Sequence, residues 1–90
     1  MTGQGLYAVR VKRSAEKEMD RLPQDIFDRV AEAILELEDD PRPHGCKKLK
    51  GVEEYRLRVG PYRILYLIDD KKRVVEIVAV GHRREVYRDI

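Results

Sequence analysis

Ninety residues suffice for one domain built on a single core, because a chain this short buries only about 60% of the surface that its unfolded form exposes. Hydrophobic residues are 42% of the chain and charged residues 40%, which excludes a disordered chain and fits a globular domain with a heavily charged surface. The net charge of +2 hides an asymmetry, since residues 1–43 hold 7 Lys/Arg against 10 Asp/Glu and residues 44–90 hold 12 against 7, the imbalance expected of a surface that meets an anion.

The first element is LYAVRVK, residues 6–12, in which Tyr7, Val9 and Val11 alternate with Ala8, Arg10 and Lys12. That is the period-two pattern of a strand with one buried face. Ser14 is then placed to cap a short helix, SAEKEMDRL, whose early Glu16 favours the positive end of the helix dipole. Leu22 followed by Pro23 ends it, because proline disfavours the helical conformation in the residue before it.

A second helix starts near Pro23. Ile26, Val30, Ala33, Ile34 and Leu37 recur at three- and four-residue spacing, while Asp25, Asp28, Glu32 and Glu36 are left to face water. This helix stops at Asp39-Asp40-Pro41. So short a connection predicts an antiparallel helical hairpin that needs a sheet to cover its apolar faces.

Residues 41–53 read as a loop rich in Pro, Gly and Lys, with Lys47, Lys48 and Lys50 closely spaced. It contains Cys46, the lone cysteine, so neither an internal disulfide nor a thiolate metal site is available. In the context PRPHGCKK, Cys46 and His44 are read as structural. Strands follow at about 54–59, 62–68 and 74–80, separated by turn signals at Gly60-Pro61 and Asp69-Asp70-Lys71-Lys72. After Gly81 comes a basic tail, HRREVYRDI, residues 82–90. Residues 1–5 are expected to be flexible. No apolar run approaches a membrane span and the N-terminus lacks a signal-peptide pattern, so a cytoplasmic protein with no membrane partner is expected.

The order of elements predicts an α+β fold: one small domain over residues 1–90, strand–helix–helix–three-strand meander, with the helical hairpin packed on one face of a mainly antiparallel four-stranded sheet. Parity then divides the strands. An even-numbered loop within 59–62 sets Arg58 opposite Arg63 and Arg56 opposite Leu65. Tyr55, Leu57, Val59, Tyr62, Ile64 and Tyr66 go to the helix face, and Arg56, Arg58 and Arg63 to the other. An even loop at 69–72 extends this to Val75, Ile77 and Ala79 on the core face, with Val74, Glu76, Val78 and Val80 opposite, and His82 following the arginine face if the strand stays extended.

Like charges directly opposite on a sheet are destabilising, so Arg58 facing Arg63 calls for a reason. Two accounts stay open from spacing alone. An anion could lie between them, or the side chains could extend over a solvated face and pair with Glu76 or a chain-terminal acid. Guanidinium groups suit phosphate, offering a rigid fork of donors at any physiological pH, and could stabilise a phosphoryl transition state. The chain has no Gly-rich phosphate loop, no GxSxG elbow and no cluster of carboxylates or histidines to hold a metal. An enzyme built from it is therefore expected to use neither metal nor small-molecule cofactor. RNA carries its own nucleophile, the 2′-OH, and needs only alignment, charge stabilisation and proton transfer. Tyr87 and His82 could stack on a base or handle a proton, although Tyr87 could equally anchor the C-terminus to the sheet.

The segment KKLKGVEEYRLRVGPYRILYLIDDKKRVVEIVAVGHRREVYRD resembles the RelE branch of the RelE/ParE toxin superfamily. The combination of YRLRVGPYRILY with VGHRREVY is its most specific part. The resemblance implies the toxin of a type II toxin–antitoxin system, a ribosome-dependent endoribonuclease that cuts mRNA by 2′-OH attack on the adjacent phosphate. It implies catalytic roles for Arg56 and Arg58 before the turn, Arg63 just after it, Arg83 of the VG-x-R motif and Tyr87 of the tail. Lys47, Lys48 and Lys50 would bind ribosomal RNA. The implied partners are a cognate antitoxin, the ribosome and its mRNA, and operator DNA only through the antitoxin complex. The best-studied pattern has lysines where this chain has Arg56 and Arg58, and an arginine, with a pKa above about 12, does not serve as a general base. A non-enzymatic gyrase inhibitor like the ParE branch, and an RNA- or ribosome-binding module with weakened catalysis, are the alternatives.

Overall fold

Gly60 and Pro61 form a two-residue connection that fixes the register of the sheet. The computed structural model describes residues 6–51 and 53–82. Its elements are β1 (Ala8–Val11), α1 (Arg13–Asp20), α2 (Gln24–Glu36), β2 (Lys47–Lys48), β3 (Glu54–Val59), β4 (Tyr62–Asp69) and β5 (Val74–His82). Val59 pairs with Tyr62 across the connection, and Gly60 has φ +58, as the first position of a type II′ turn requires. The sheet has five strands in the order β1-β5-β4-β3-β2, with β1 parallel to β5 and every other pairing antiparallel. The α+β class is as predicted. The additional strand is β2, only two residues long, inside the segment read as loop.

β1 and β2 lie at opposite edges, so the chain crosses the sheet between them, and α1 and α2 make that crossing over one face. Beneath them the core gathers Ala15 and Met19 from α1, Val30 and Ile34 from α2, Leu37, and Ile64, Tyr66, Val75, Ile77 and Val80 from the sheet. The α2 stripe is the one expected, with Ile26 and Ala33 packed at its margin. Among the described residues no helix is long and apolar enough to cross a membrane.

The expected cap at Ser14 is corrected, because α1 begins at Arg13 with Lys12 at the N-cap and no side-chain capping bond. The sheet determines this start. The Lys12 amide donates to the Ile77 carbonyl at 2.9 Å while the Lys12 carbonyl accepts from the Glu16 amide at 2.9 Å. Strand and helix therefore meet at one residue, and Ser14 falls inside the first turn.

Candidate functional site

The β3–β4 register is the one that parity gives: Arg58 faces Arg63, Arg56 faces Leu65, and Leu57 faces Ile64. The turn is short enough to leave no slack, and a one-residue slip would send the arginines into the core. Arg56, Arg58 and Arg63 thus share the face opposite α1 and α2. Arg58 is exposed, Arg56 is intermediate and Arg63 is buried.

β2 adds a cation that the sequence reading did not assign to this face. Lys47 pairs with Arg56 and Lys48 with Tyr55, so Lys47 joins the arginines while Lys48 turns to the helix side, 3.6 Å from Glu53. Lys50 is exposed beyond the strand. A second cation missed from sequence is Arg29 of α2, whose Nη2 lies 3.9 Å from where a Cβ at Gly60 would be. It brings positive charge from the helical layer to the tip of the hairpin.

The last strand departs from the expected register. Asp69 pairs with Val74 and Tyr66 with Ile77, but Leu65 pairs with Ala79, Ile64 with Val80 and Arg63 with Gly81. A bulge at Val78 absorbs one residue, and such an insertion exchanges the two faces for everything that follows. Val80 is consequently 1% exposed in the core and Ala79 is on the arginine face, the reverse of the expectation. His82 is likewise corrected. It pairs with Tyr62 and meets that ring edge-on at a centroid distance of 5.7 Å, on the helix side. Arg83 and Tyr87, and the tail beyond His82, lie outside the described residues, as does the predicted flexible segment 1–5.

Carried across the strands, the register arranges the face opposite α1 and α2 in rows. Lys47, Arg56, Leu65 and Ala79 form one row, and Arg58, Arg63 and Gly81 the next. Toward the other end lie Glu54, Leu67, Glu76 and Arg10. Glu76 is therefore no direct counterion for the arginine pair. Its partner Leu67 is four residues from Arg63 along β4, about 13 Å at a strand rise of roughly 3.3 Å per residue. Arg63 is nonetheless satisfied within the fold, since no buried side-chain nitrogen or oxygen among the described residues lacks a partner. A cavity of about 660 Å³ opens at the acidic end, lined by Arg10, Asp69, Lys71 and Glu76 among others. It is wide and mixed in charge, and Arg56, Arg58 and Arg63 do not line it.

A separate polar cluster ties down the connector that leads into β2. Arg42 donates to both carboxylate oxygens of Asp70, at 3.2 and 2.9 Å, and its guanidinium carbon lies 5.2 Å from the centroid of the Tyr55 ring. Tyr7 donates its hydroxyl to Asp70 at 2.7 Å. The Arg42 bonds, and after them the Tyr7 bond, hold the Asp70 carboxyl below its ordinary pKa. The same bond raises that of Tyr7. Tyr66 stacks on Tyr55 at 5.8 Å and donates to the Pro41 carbonyl at 2.9 Å. Burial, and then the adjoining Cys46 thiol, push the Tyr66 hydroxyl well above the usual tyrosine pKa. Cys46 therefore neighbours a buried hydroxyl in a structural setting, as its sequence context predicts.

Chemically, this arrangement gathers three guanidiniums and one ammonium in two adjacent rows of the sheet face opposite α1 and α2, backed by a tyrosine-rich core. Residues 9–87 match the family model described as the ParE toxin of the type II toxin–antitoxin system parDE. The chain is 36% identical over 86 residues to the toxin RelG of Mycobacterium tuberculosis, covering 91% of this chain and 97% of that protein. It is 30% identical to the mRNA interferase toxin RelE of Escherichia coli, with 92% of each chain covered. Among solved structures, the toxin–antitoxin complex RelBE2 of Mycobacterium tuberculosis contains a chain with a TM-score of 0.79 and 33% identity, covering 88% of this chain and 93% of that one.

Proposed function

Because the chain belongs to the RelE/ParE superfamily of type II toxin–antitoxin toxins, as a RelE-type member, we propose that it is a ribosome-dependent endoribonuclease that cuts mRNA without a metal ion. The observation that carries this reading is the Arg58–Arg63 pair on a face that also carries Arg56 and Lys47. Adjacent like charges cost stability, and a phosphate between them offsets that cost.

In the proposed reaction the 2′-oxygen of the nucleotide attacks the adjacent phosphorus and the P–O5′ bond breaks. One product ends in a 2′,3′-cyclic phosphate, and the departing 5′-oxygen takes one proton from water, balancing the one lost from the 2′-OH, so that the other begins with a 5′-hydroxyl. Arg58, Arg63 and Arg83 stabilise the charge that accumulates on the phosphoryl oxygens, while Arg56 and Lys47 hold the neighbouring backbone phosphates. The arginines stay protonated throughout, so none of them takes the 2′-OH proton. His82 faces the helix side, which leaves Tyr87 or a ribosomal group for that step. Lys48 and Lys50 contact ribosomal RNA outside the cleft, and the site of action is the cytoplasm. RelE-named neighbours are recorded in complex with an antitoxin, RelB, which supports a cognate antitoxin here, with operator DNA bound only through that complex.

The test is to map transcript ends in a translation extract with and without the purified protein. Codon-positioned cuts that disappear with Arg63→Ala plus Arg83→Ala are expected; no cuts, or undiminished cuts by that variant, would sink the reading. The matching family model bears the ParE description, so gyrase inhibition is the second reading. Inhibition in a supercoiling assay without RNA cutting would favour it. Salt-sensitive ribosome binding with no new transcript ends would mark a module of weakened catalysis.

A further inference from the structure

Past Ile77, β5 runs on without β1. The parallel ladder ends at the Val11–Ile77 pair, and the Lys12 amide makes the last backbone bond, to Ile77. The edge of β5 beyond that point would present unpaired amides. One of them is taken up by a side chain: the Val80 N–H donates to Oε1 of Glu18, on α1, at 2.8 Å. This bond lies immediately after the bulge.

The bulge determines what stands beside Arg63. If the Tyr66–Ile77 register continued unbroken, Val78 would face Leu65 and Val80 would face Arg63. With the bulge, Ala79 faces Leu65 and Gly81 faces Arg63. Two valines are thereby exchanged for alanine and glycine on the arginine face, and no β5 side chain rises beside Arg63. Glu18 has no place in the cleft itself, being attached through the strand's far edge.

We propose that Glu18 is a positioning residue: by holding the Val80 amide it stabilises the Val78 bulge, and so keeps the side-chain-free Gly81 beside Arg63, where the substrate phosphate must fit. This rests on the RNA-cutting reading of the same face. Nothing about the charge of Glu18 is needed beyond its acceptor oxygen, so glutamine should replace it.

The experiment uses the full chain as wild type, Glu18→Ala and Glu18→Gln, and reads three quantities. These are Val80 amide exchange by NMR, ribosome affinity, and the single-turnover cutting rate at saturating ribosome. For Glu18→Ala we expect exchange at least ten times faster, a cutting rate at least ten times lower and an affinity within twofold of wild type. Glu18→Gln should recover rate and protection to within threefold. A further variant separates positioning from simple destabilisation. Deleting Val78 gives a regular ladder that still ends with Gly81 opposite Arg63, and in that background Glu18→Ala should cost less than twofold.

Wild-type cutting by Glu18→Ala, an equal loss in Glu18→Gln, or the same loss in both backgrounds overturns the proposal while leaving the RNA-cutting reading intact. A wild-type protein that makes no cuts overturns both.

Discussion

Lys47 stands directly opposite Arg56 across the β2–β3 ladder, whereas its neighbour Lys48 stands opposite Tyr55. Two adjacent lysines thus serve opposite faces of one sheet. Lys47→Ala should lower the salt dependence of ribosome binding by roughly 0.7–0.9 in log–log slope, the amount lost with one phosphate contact. Lys48 meets RNA with a charge already paired to Glu53, 3.6 Å away, so Lys48→Ala should change it by less than half as much. Filter binding over a range of potassium concentrations checks the difference.

Arg58 is exposed and opposes Arg63, so on the proposed reading removing it relieves a repulsion while removing a phosphate ligand. Arg58→Ala should be more stable than wild type by a few tenths of a kcal/mol at low salt. Its cutting rate should fall about a hundredfold or more, as expected for loss of one transition-state donor. Urea denaturation and single-turnover cutting, measured on the same preparation, should move in opposite directions. A purely structural role would move them together.

Tyr66 donates to the carbonyl of buried Pro41, and no water could replace its hydroxyl without opening the core. Tyr66→Phe leaves that carbonyl unpaired, at a cost of about 1–3 kcal/mol. In a domain of this size the melting temperature should fall by roughly 5–15 °C. Circular dichroism melts check this, and the arginine face should keep its activity below the new transition.

Asp70 has a folded-state pKa below its unfolded value, because Arg42 and then Tyr7 donate to its ionised form. Its contribution to stability is therefore present above the unfolded carboxylate pKa and is lost as the pH falls through the folded value. Asp70→Asn should be less stable than wild type at pH 7 and should lose less on acidification to pH 3. Chemical denaturation at the two pH values checks the sign.

What the sequence discloses depends on whether turns or bulges set the register. The hairpin carrying Arg56, Arg58 and Arg63 was legible residue by residue, because Gly60-Pro61 admits a single short loop and alternation does the rest. β5 was legible only as far as Ile77. In VVEIVAV nearly every residue suits either face, so composition gives no sign that Val78 is the inserted one, and His82 was placed on the wrong side. Lys47 was legible as an RNA-binding candidate but not as a member of the arginine face, because two residues are too few to show a period. Arg29, Glu18 and the Arg42–Asp70 bridge act across long sequence separations that no local pattern encodes.

Because β3 and β4 alternate strictly between an arginine-bearing face and a core face, the hairpin between Tyr55 and Tyr66 tolerates spelling changes far better than changes of length. A substitution at Arg56 or Arg58 falls on the face opposite the helices and leaves the core side chains in place, so the chemistry of that face can drift between arginine and lysine. One inserted or deleted residue on either strand would exchange the two surfaces downstream, burying guanidiniums and exposing tyrosines. Divergence among such chains should therefore run through point replacement in this hairpin, with insertions and deletions confined to the connectors, such as residues 41–46 and 70–73.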